Sequence, residues 1–164
     1  MLAAVPGEIT PVTVTQQQTQ NDNEDWFQAT HAVDKDLSTT SYAETDNGEV
    51  WLKLEFDSSY FIHQIIIYQF FYTDWYYPNH WCVRNESNYQ TCKDNHNNVD
   101  VAVYQGDELQ ATCGTLQLTY GLEQADQIYT FICGAEGDTV FLSKTSNKIS
   151  VFEIVVTGIG MYSI

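Results

Sequence analysis

The chain has 164 residues, 43% of them hydrophobic and 14% aromatic, which by length is one domain with enough apolar material for a core. Its 22 acidic residues against 6 Lys and Arg leave a formal net charge of −16. That balance excludes nucleic acid and anionic membrane surfaces, both of which need clustered cationic side chains, and leaves cations and neutral or basic partners.

No apolar run reaches membrane-spanning length, so no membrane insertion is expected. The longest, FIHQIIIYQFFY, is interrupted by His63, Gln64 and Gln69. The opening MLAAVPGEIT has neither a basic n-region nor a long apolar h-region, which leaves signal-peptide status open. In chain order, VTVT alternates near the start, and QQQTQNDNED reads as a surface loop whose Asp22, Glu24 and Asp25 are solvated. The stretch HAVDKDLSTTSYAET, residues 31 to 45, is too polar for a core strand.

VWLKLEF, residues 50 to 56, alternates clearly. Val50, Leu52, Leu54 and Phe56 face one way, and Trp51, Lys53 and Glu55 the other. FIHQIIIYQFFY predicts a long, mostly buried strand. VDVAVYQ (99 to 105) alternates again and ends at the turn signal Gly106-Asp107. IYTFIC (128 to 133), TVFLSK (139 to 144) and ISVFEIVVTG (149 to 158) follow at short spacing. The ending TGIGMYSI reads as a strand end running toward a linker. With no long helical period and no internal repeat, the pattern predicts an all-β chain, an antiparallel β-sandwich of one domain over residues 1–164 with a core from about 12 to 158.

Asp34 and Asp36, followed by hydroxyls, supply the carboxylate, carbonyl and hydroxyl oxygens that a hard cation such as calcium takes. One loop rarely fills such a site, and Glu153, in an otherwise apolar strand, is the candidate distant carboxylate, since an ionised buried Glu needs a partner. Equally compatible with the residue types are two solvated turn acids and a Glu on an exposed strand face. A second candidate is FFYTDWYYPNHWCVRNES. Tyr72, Trp75, Tyr76, Tyr77 and Trp81 offer faces for stacking on sugar CH groups, and Asp74, Asn79, His80 and Arg84 offer hydrogen bonds. The same composition suits a protein–protein hot spot, or rings that brace a long loop.

The 4 cysteines suit two disulfides and an oxidising compartment. Cys82 and Cys92 enclose a polar loop that carries the glycosylation sequon at Asn85. Zinc on His80, Cys82, Cys92 and His96 is the alternative, at a spacing that matches no standard finger. There is no G-x-S-x-G, H-E-x-x-H or phosphate loop, and no catalytic residue is assigned.

Taken in order, HAVDKDLSTTSYAET, EVWLKLEFDSSYFIHQIII, VDVAVYQ, CG, IYTFIC and VFEIVVTG resemble the F-type lectin (fucolectin) group of discoidin-like, galactose-binding-like β-sandwich jelly rolls, over about Val12 to Gly158. The resemblance implies a Ca2+ site with backbone carbonyls from His31 and Asp36, the Asp34 side chain, hydroxyl and carbonyl from Thr39 or Ser38, the Phe152 carbonyl and the Glu153 carboxylate. It also implies a Cys113–Cys133 disulfide, with Cys82–Cys92 as the second bridge.

Three departures stand out. Lys35 replaces the family's Gly, at a cost of roughly 1 kcal/mol if positive φ is needed there. The family's aspartate-leucine-glycine turn becomes Glu55-Phe56-Asp57. The Arg-x-Asp that clamps fucose becomes Phe70-Phe71-Tyr72, with no His near the matching region around Asp46, so fucose specificity does not carry over. The expected role is non-catalytic, extracellular or cell-surface recognition of a glycan. The alternative is a structural or adhesion subunit contacting protein partners in a homo-oligomer or larger assembly.

Overall fold

A computed structural model describes residues 4–17, 28–37, 39–45, 48–70, 97–117, 126–145 and 147–161. Among the described residues nine strands run in order: β1 (Gly7–Ile9), β2 (Thr13–Gln16), β3 (Ser41–Thr45), β4 (Val50–Phe70), β5 (Val99–Gln105), β6 (Glu108–Leu116), β7 (Asp126–Lys144), β8 (Asn147–Val151) and β9 (Glu153–Gly160). A short 3-10 helix, Ala29–Val33, precedes β3. All pairings among the described residues are antiparallel. The main sheet is ordered β1-β9-β4-β7-β5-β6 with β2 also on β4, and β3-β8 form a second, two-stranded sheet.

The alternation in VWLKLEF holds: Val50, Leu52 and Leu54 are fully buried and Phe56 nearly so, while Trp51, Lys53 and Glu55 lie on the outer face. Ile62, Ile65 and Ile67 continue that core from the second half of β4. Val101 and Val103 of β5, Val140 and Leu142 of β7, Ile149 and Val151 of β8, and Ile154 and Val156 of β9 complete it. One core fed by inward positions of every long strand is the β-sandwich expected from the sequence.

The strand boundaries differ in three places, each for a local reason. VWLKLEF and FIHQIIIYQF form one 21-residue strand, because a register shift against β7 between Glu55 and Tyr60 absorbs the expected turn. There the Tyr60 hydroxyl donates to Asp57 Oδ1 at 2.8 Å. IYTFIC and TVFLSK likewise merge into the 19-residue β7, through Gly134 and Gly137. ISVFEIVVTG instead splits at Phe152, whose N–H turns to Tyr68 O at 3.3 Å. That break lets β8 pair with β3 while β9 pairs with β4. β1, β3, β6 and the 3-10 helix were not expected from periodicity, being short or polar.

Candidate functional site

The 3-10 helix buries Ala32 completely and ends at Asp34. Lys35 then takes φ 62°, a left-handed conformation that a side chain rarely adopts. The reversal it makes is held at every step. Asp36 N–H donates to Asp34 Oδ1 at 2.9 Å. Thr39 N–H donates to Asp36 O at 3.2 Å. The Thr39 hydroxyl stands 2.7 Å from Asp34 Oδ2 and 2.9 Å from Asp36 O. Three of the oxygens singled out in the sequence therefore converge on one point: a carboxylate, a carbonyl and a hydroxyl.

Glu153 meets this loop from the far end of the chain. Lys35 N–H donates to Glu153 Oε2 at 3.0 Å, across 118 positions of sequence. The residue opens β9 opposite Tyr68 and is only 5% exposed, so the exposed-face reading of Glu153 does not hold, whereas Asp34 and Asp36 are exposed, as solvated turn acids would be. Its pKa is raised from 4.5 to about 7: burial is the main cause, the Lys35 N–H opposes it, the negative charges of Asp34 and Glu8 add to it, and the Lys35 charge opposes it again. The Lys35 ammonium, 3.1 Å from Glu8 Oε1, is a solvent-exposed counterion. A buried carboxylate with one backbone N–H as its hydrogen bond among the described residues, near the exposed Asp34 and only partly offset by the Lys35 charge, carries a desolvation cost.

Hydrogen bonds from the following residues sew the loop to the last strands. The Thr40 hydroxyl lies 3.0 Å from Ser150 Oγ and 3.1 Å from Val151 O, and Ser41 Oγ donates to Val151 O at 3.1 Å. Gln69, 2% exposed, donates to Ser150 O at 2.7 Å. His31 sits in the 3-10 helix with its ring Nδ1 3.2 Å from Thr40 O, and Phe152 is buried at the β8–β9 break. Of the residues proposed for a cation, His31, Asp34, Asp36, Thr39, Phe152 and Glu153 thus fall on one small region, and Ser38 lies outside the described residues. Among the described residues no group of three or more His, Cys, Asp or Glu side chains is placed to hold a metal. The expected set does not require one, because carbonyls and a hydroxyl make up most of it.

Cys113 of β6 and Cys133 of β7 are bonded, with Cα atoms 4.7 Å apart. The aromatic loop, with Tyr72, Asp74, Trp75, Tyr76, Tyr77, Asn79, His80, Trp81 and Arg84, lies outside the described residues, as do Cys82, Cys92, His96 and Asn85. Its root is placed: the chain leaves β4 at Phe70, two positions beyond Tyr68, the partner of Glu153.

No family model matches the sequence, and no curated protein matches it. Solved structures do. The lectin domain of lectinolysin complexed with Lewis b antigen is similar at TM-score 0.60 and 14% identity, over 88% of this chain and 90% of that one. A fucose-binding module of Streptococcus pneumoniae matches at TM-score 0.60 and 16% identity, over 96% of this chain and 99% of that one. The fucolectin from striped bass (Morone saxatilis) serum matches at 0.61 and 10%, over 95% of this chain and 51% of that one, so this chain spans about half its length. The fold is the discoidin-like β-sandwich. In that discoidin-like frame the acidic loop and the first residue of β9 are juxtaposed because the antiparallel pairing of β3 with β8 and of β9 with β4 leaves them nowhere else to go.

Sequence reasoning picked out Asp34 and Glu153 but not the hydroxyl and amide seam of Thr40, Ser41, Gln69 and Ser150. Its only trace in the sequence is polar residues inside strands that are otherwise buried, Ser41, Gln69 and Ser150 being buried themselves.

Proposed function

We propose that this chain is a non-catalytic glycan-recognition module, stabilised by calcium and working outside the cell. The observation that carries the reading is the shared discoidin-like fold with lectin and fucose-binding domains, over nearly the whole of this chain. A binding role without catalysis is supported by a further likeness: a family 89 glycoside hydrolase of Clostridium perfringens matches over only 15% of its length. The Cys113–Cys133 disulfide supports an oxidising compartment.

Calcium would be held by the His31, Asp36 and Phe152 carbonyls, the Asp34 and Glu153 carboxylates and the hydroxyl and carbonyl of Thr39, or of Ser38 in its place. All are hard oxygen donors, and Glu153, its pKa raised by burial and further by the charge of Asp34, carries a cost that a divalent cation would offset. Its role is structural: it neutralises Asp34 and Glu153 and ties the N-terminal loop to β9. The sugar is read by the aromatic loop rooted at Phe70, through Trp75 and Trp81.

A second reading is favoured by one observation, Phe70-Phe71-Tyr72 in place of the charged fucose clamp. In it the same aromatic surface assembles with other protein chains. The two separate in one experiment. The calcium-loaded chain is applied to a glycan array, and Trp75→Ala and Trp81→Ala are compared by array and by light scattering. Loss of glycan signal with an unchanged mass supports the lectin. An empty array together with a change of assembly state in the variants establishes the assembly subunit instead.

A further inference from the structure

Away from the loop and from Glu153, the outer face of the first half of β4 carries a feature that neither reading uses. Trp51 stacks on Phe141 with ring centroids 6.2 Å apart and planes 22° off parallel. Tyr104 meets Phe141 edge-on, 5.6 Å away at 76°. The rings come from three adjacent strands: Trp51 is paired to Ser143, Lys53 to Phe141, and Thr139 to both Glu55 and Tyr104. Two near-parallel rings make a floor and the third makes a wall.

Beside that corner is a groove of about 410 Å3, within the range of small-molecule sites. Phe141 and Tyr104 line it together with Lys53, Glu55, Asp107 and Asp138. Asp138 is fixed in place: its Oδ1 accepts from Gly106 N–H at 3.0 Å and from Thr139 Oγ1 at 2.9 Å, and its Oδ2 from Gln105 Nε2 at 3.1 Å. That ties the β5–β6 turn to β7 and gives the groove a rigid end. Lys53 Nζ lies 3.4 Å from Glu55 Oε1, so one wall presents a donor and an acceptor side by side.

The lining selects the ligand. An acidic sugar would meet Glu55, Asp107, Asp138 and a chain of net charge −16, and the aromatic corner with its Lys53–Glu55 pair offers more than a bare cation would use. A neutral ring with apolar CH faces and hydroxyl edges suits all of it: CH groups on the aromatic corner, hydroxyls donating to the carboxylates and accepting from Lys53. We propose that this groove is a second saccharide site, taking one or two neutral pyranose units against Tyr104 and Phe141, distinct from the loop rooted at Phe70. It rests on the glycan reading above and adds to it two separate sites on one chain, which would raise avidity for multivalent glycans without any new contact.

The test is amide NMR of the isotope-labelled full chain. Lactose, N-acetyllactosamine, fucosyllactose, cellobiose and mannobiose are titrated in turn. The expected result is that at least one shifts the amides of Lys53, Gly106, Thr139 and Phe141. Tyr104→Ala should weaken that binding about tenfold, the equivalent of one stacking contact. Asp107→Ala, a substitution at an exposed turn, guards against misfolding of the first variant and should also weaken it. These shifts should persist in the Trp75→Ala/Trp81→Ala double variant. If a sugar binds and moves only amides outside the groove, with Tyr104→Ala and Asp107→Ala unchanged, the groove proposal is wrong and the glycan reading stands. If no saccharide on the array or in this panel binds the wild-type chain, both fall.

Discussion

Glu153 is the residue on which most depends, and its pKa makes a pH prediction with a definite sign. Folding raises it from 4.5 to about 7, so between these values the folded state holds more protons than the unfolded one. Stability of the calcium-free chain should therefore fall as pH rises through that window, by at most roughly 3 kcal/mol from this group. Glu153→Gln has no proton to lose, and its urea-unfolding stability should lose this downward slope between about pH 4.5 and 7. An unchanged slope would put the titration elsewhere. Lys35 offers the complementary test. Its φ of 62° is strained for a side chain, yet its backbone N–H holds Glu153 Oε2. Lys35→Gly keeps the N–H and removes the strain, while giving up an exposed ion pair to Glu8 of little weight. The variant should be up to about 1 kcal/mol more stable by the same assay. A loss of stability would show that the ammonium beside Glu153 matters more than the backbone.

At the level of elements, the two long strands carry the fold, and their continuity is the part the sequence hid. Alternation in VWLKLEF was legible because that stretch buries one face and leaves the other half-buried; in VDVAVYQ Val99, Val101 and Val103 are buried as the pattern predicts, but Ala102 between them is buried too. The joins were not legible. EFDSSY and CGAEGD have the polarity of turns, and only a partner strand in shifted register keeps them extended. The acidic loop was legible by residue type, since Asp34 and Glu153 have chemistry that nothing in the core explains. Its hydroxyl seam was not, because Thr40 and Ser41 look like any polar linker until β8 is set opposite. Gly137 shows how tightly the second join is fitted. A Cβ there would stand 2.5 Å from Tyr104 O and 2.5 Å from Val103 Cγ1, the first being backbone that cannot step aside cheaply. Gly137→Ala should cost about 1–3 kcal/mol, seen as a lower urea midpoint with an unchanged slope. A neutral result would mean that β5 and β7 can separate locally, and the groove built on Tyr104 would then lack a rigid wall.

Over the whole molecule, a net charge of −16 makes any cation stabilising to some degree, so a bare calcium effect proves little. Self-repulsion is relieved by any counterion, and sodium chloride alone should raise the melting temperature until screening is complete. A specific site behaves differently. At a fixed physiological ionic strength, calcium at about a hundred times its dissociation constant adds about 2.7 kcal/mol, or roughly 5–10 °C for a chain of this size. Magnesium, which keeps its waters and demands a tight octahedron, should do far less at the same concentration. Asp34→Asn and Glu153→Gln should each lose most of the calcium increment and keep the sodium increment, because each changes the net charge of −16 by only one but exchanges a carboxylate ligand for a weaker, neutral amide oxygen. If calcium and magnesium act alike, or if both variants keep the calcium increment, the cation is only screening. The contact of the acidic loop with the last two strands would then be a clamp made, among the described residues, by Lys35 N–H on Glu153 of β9 and by Thr40 and Ser41 on Val151 of β8.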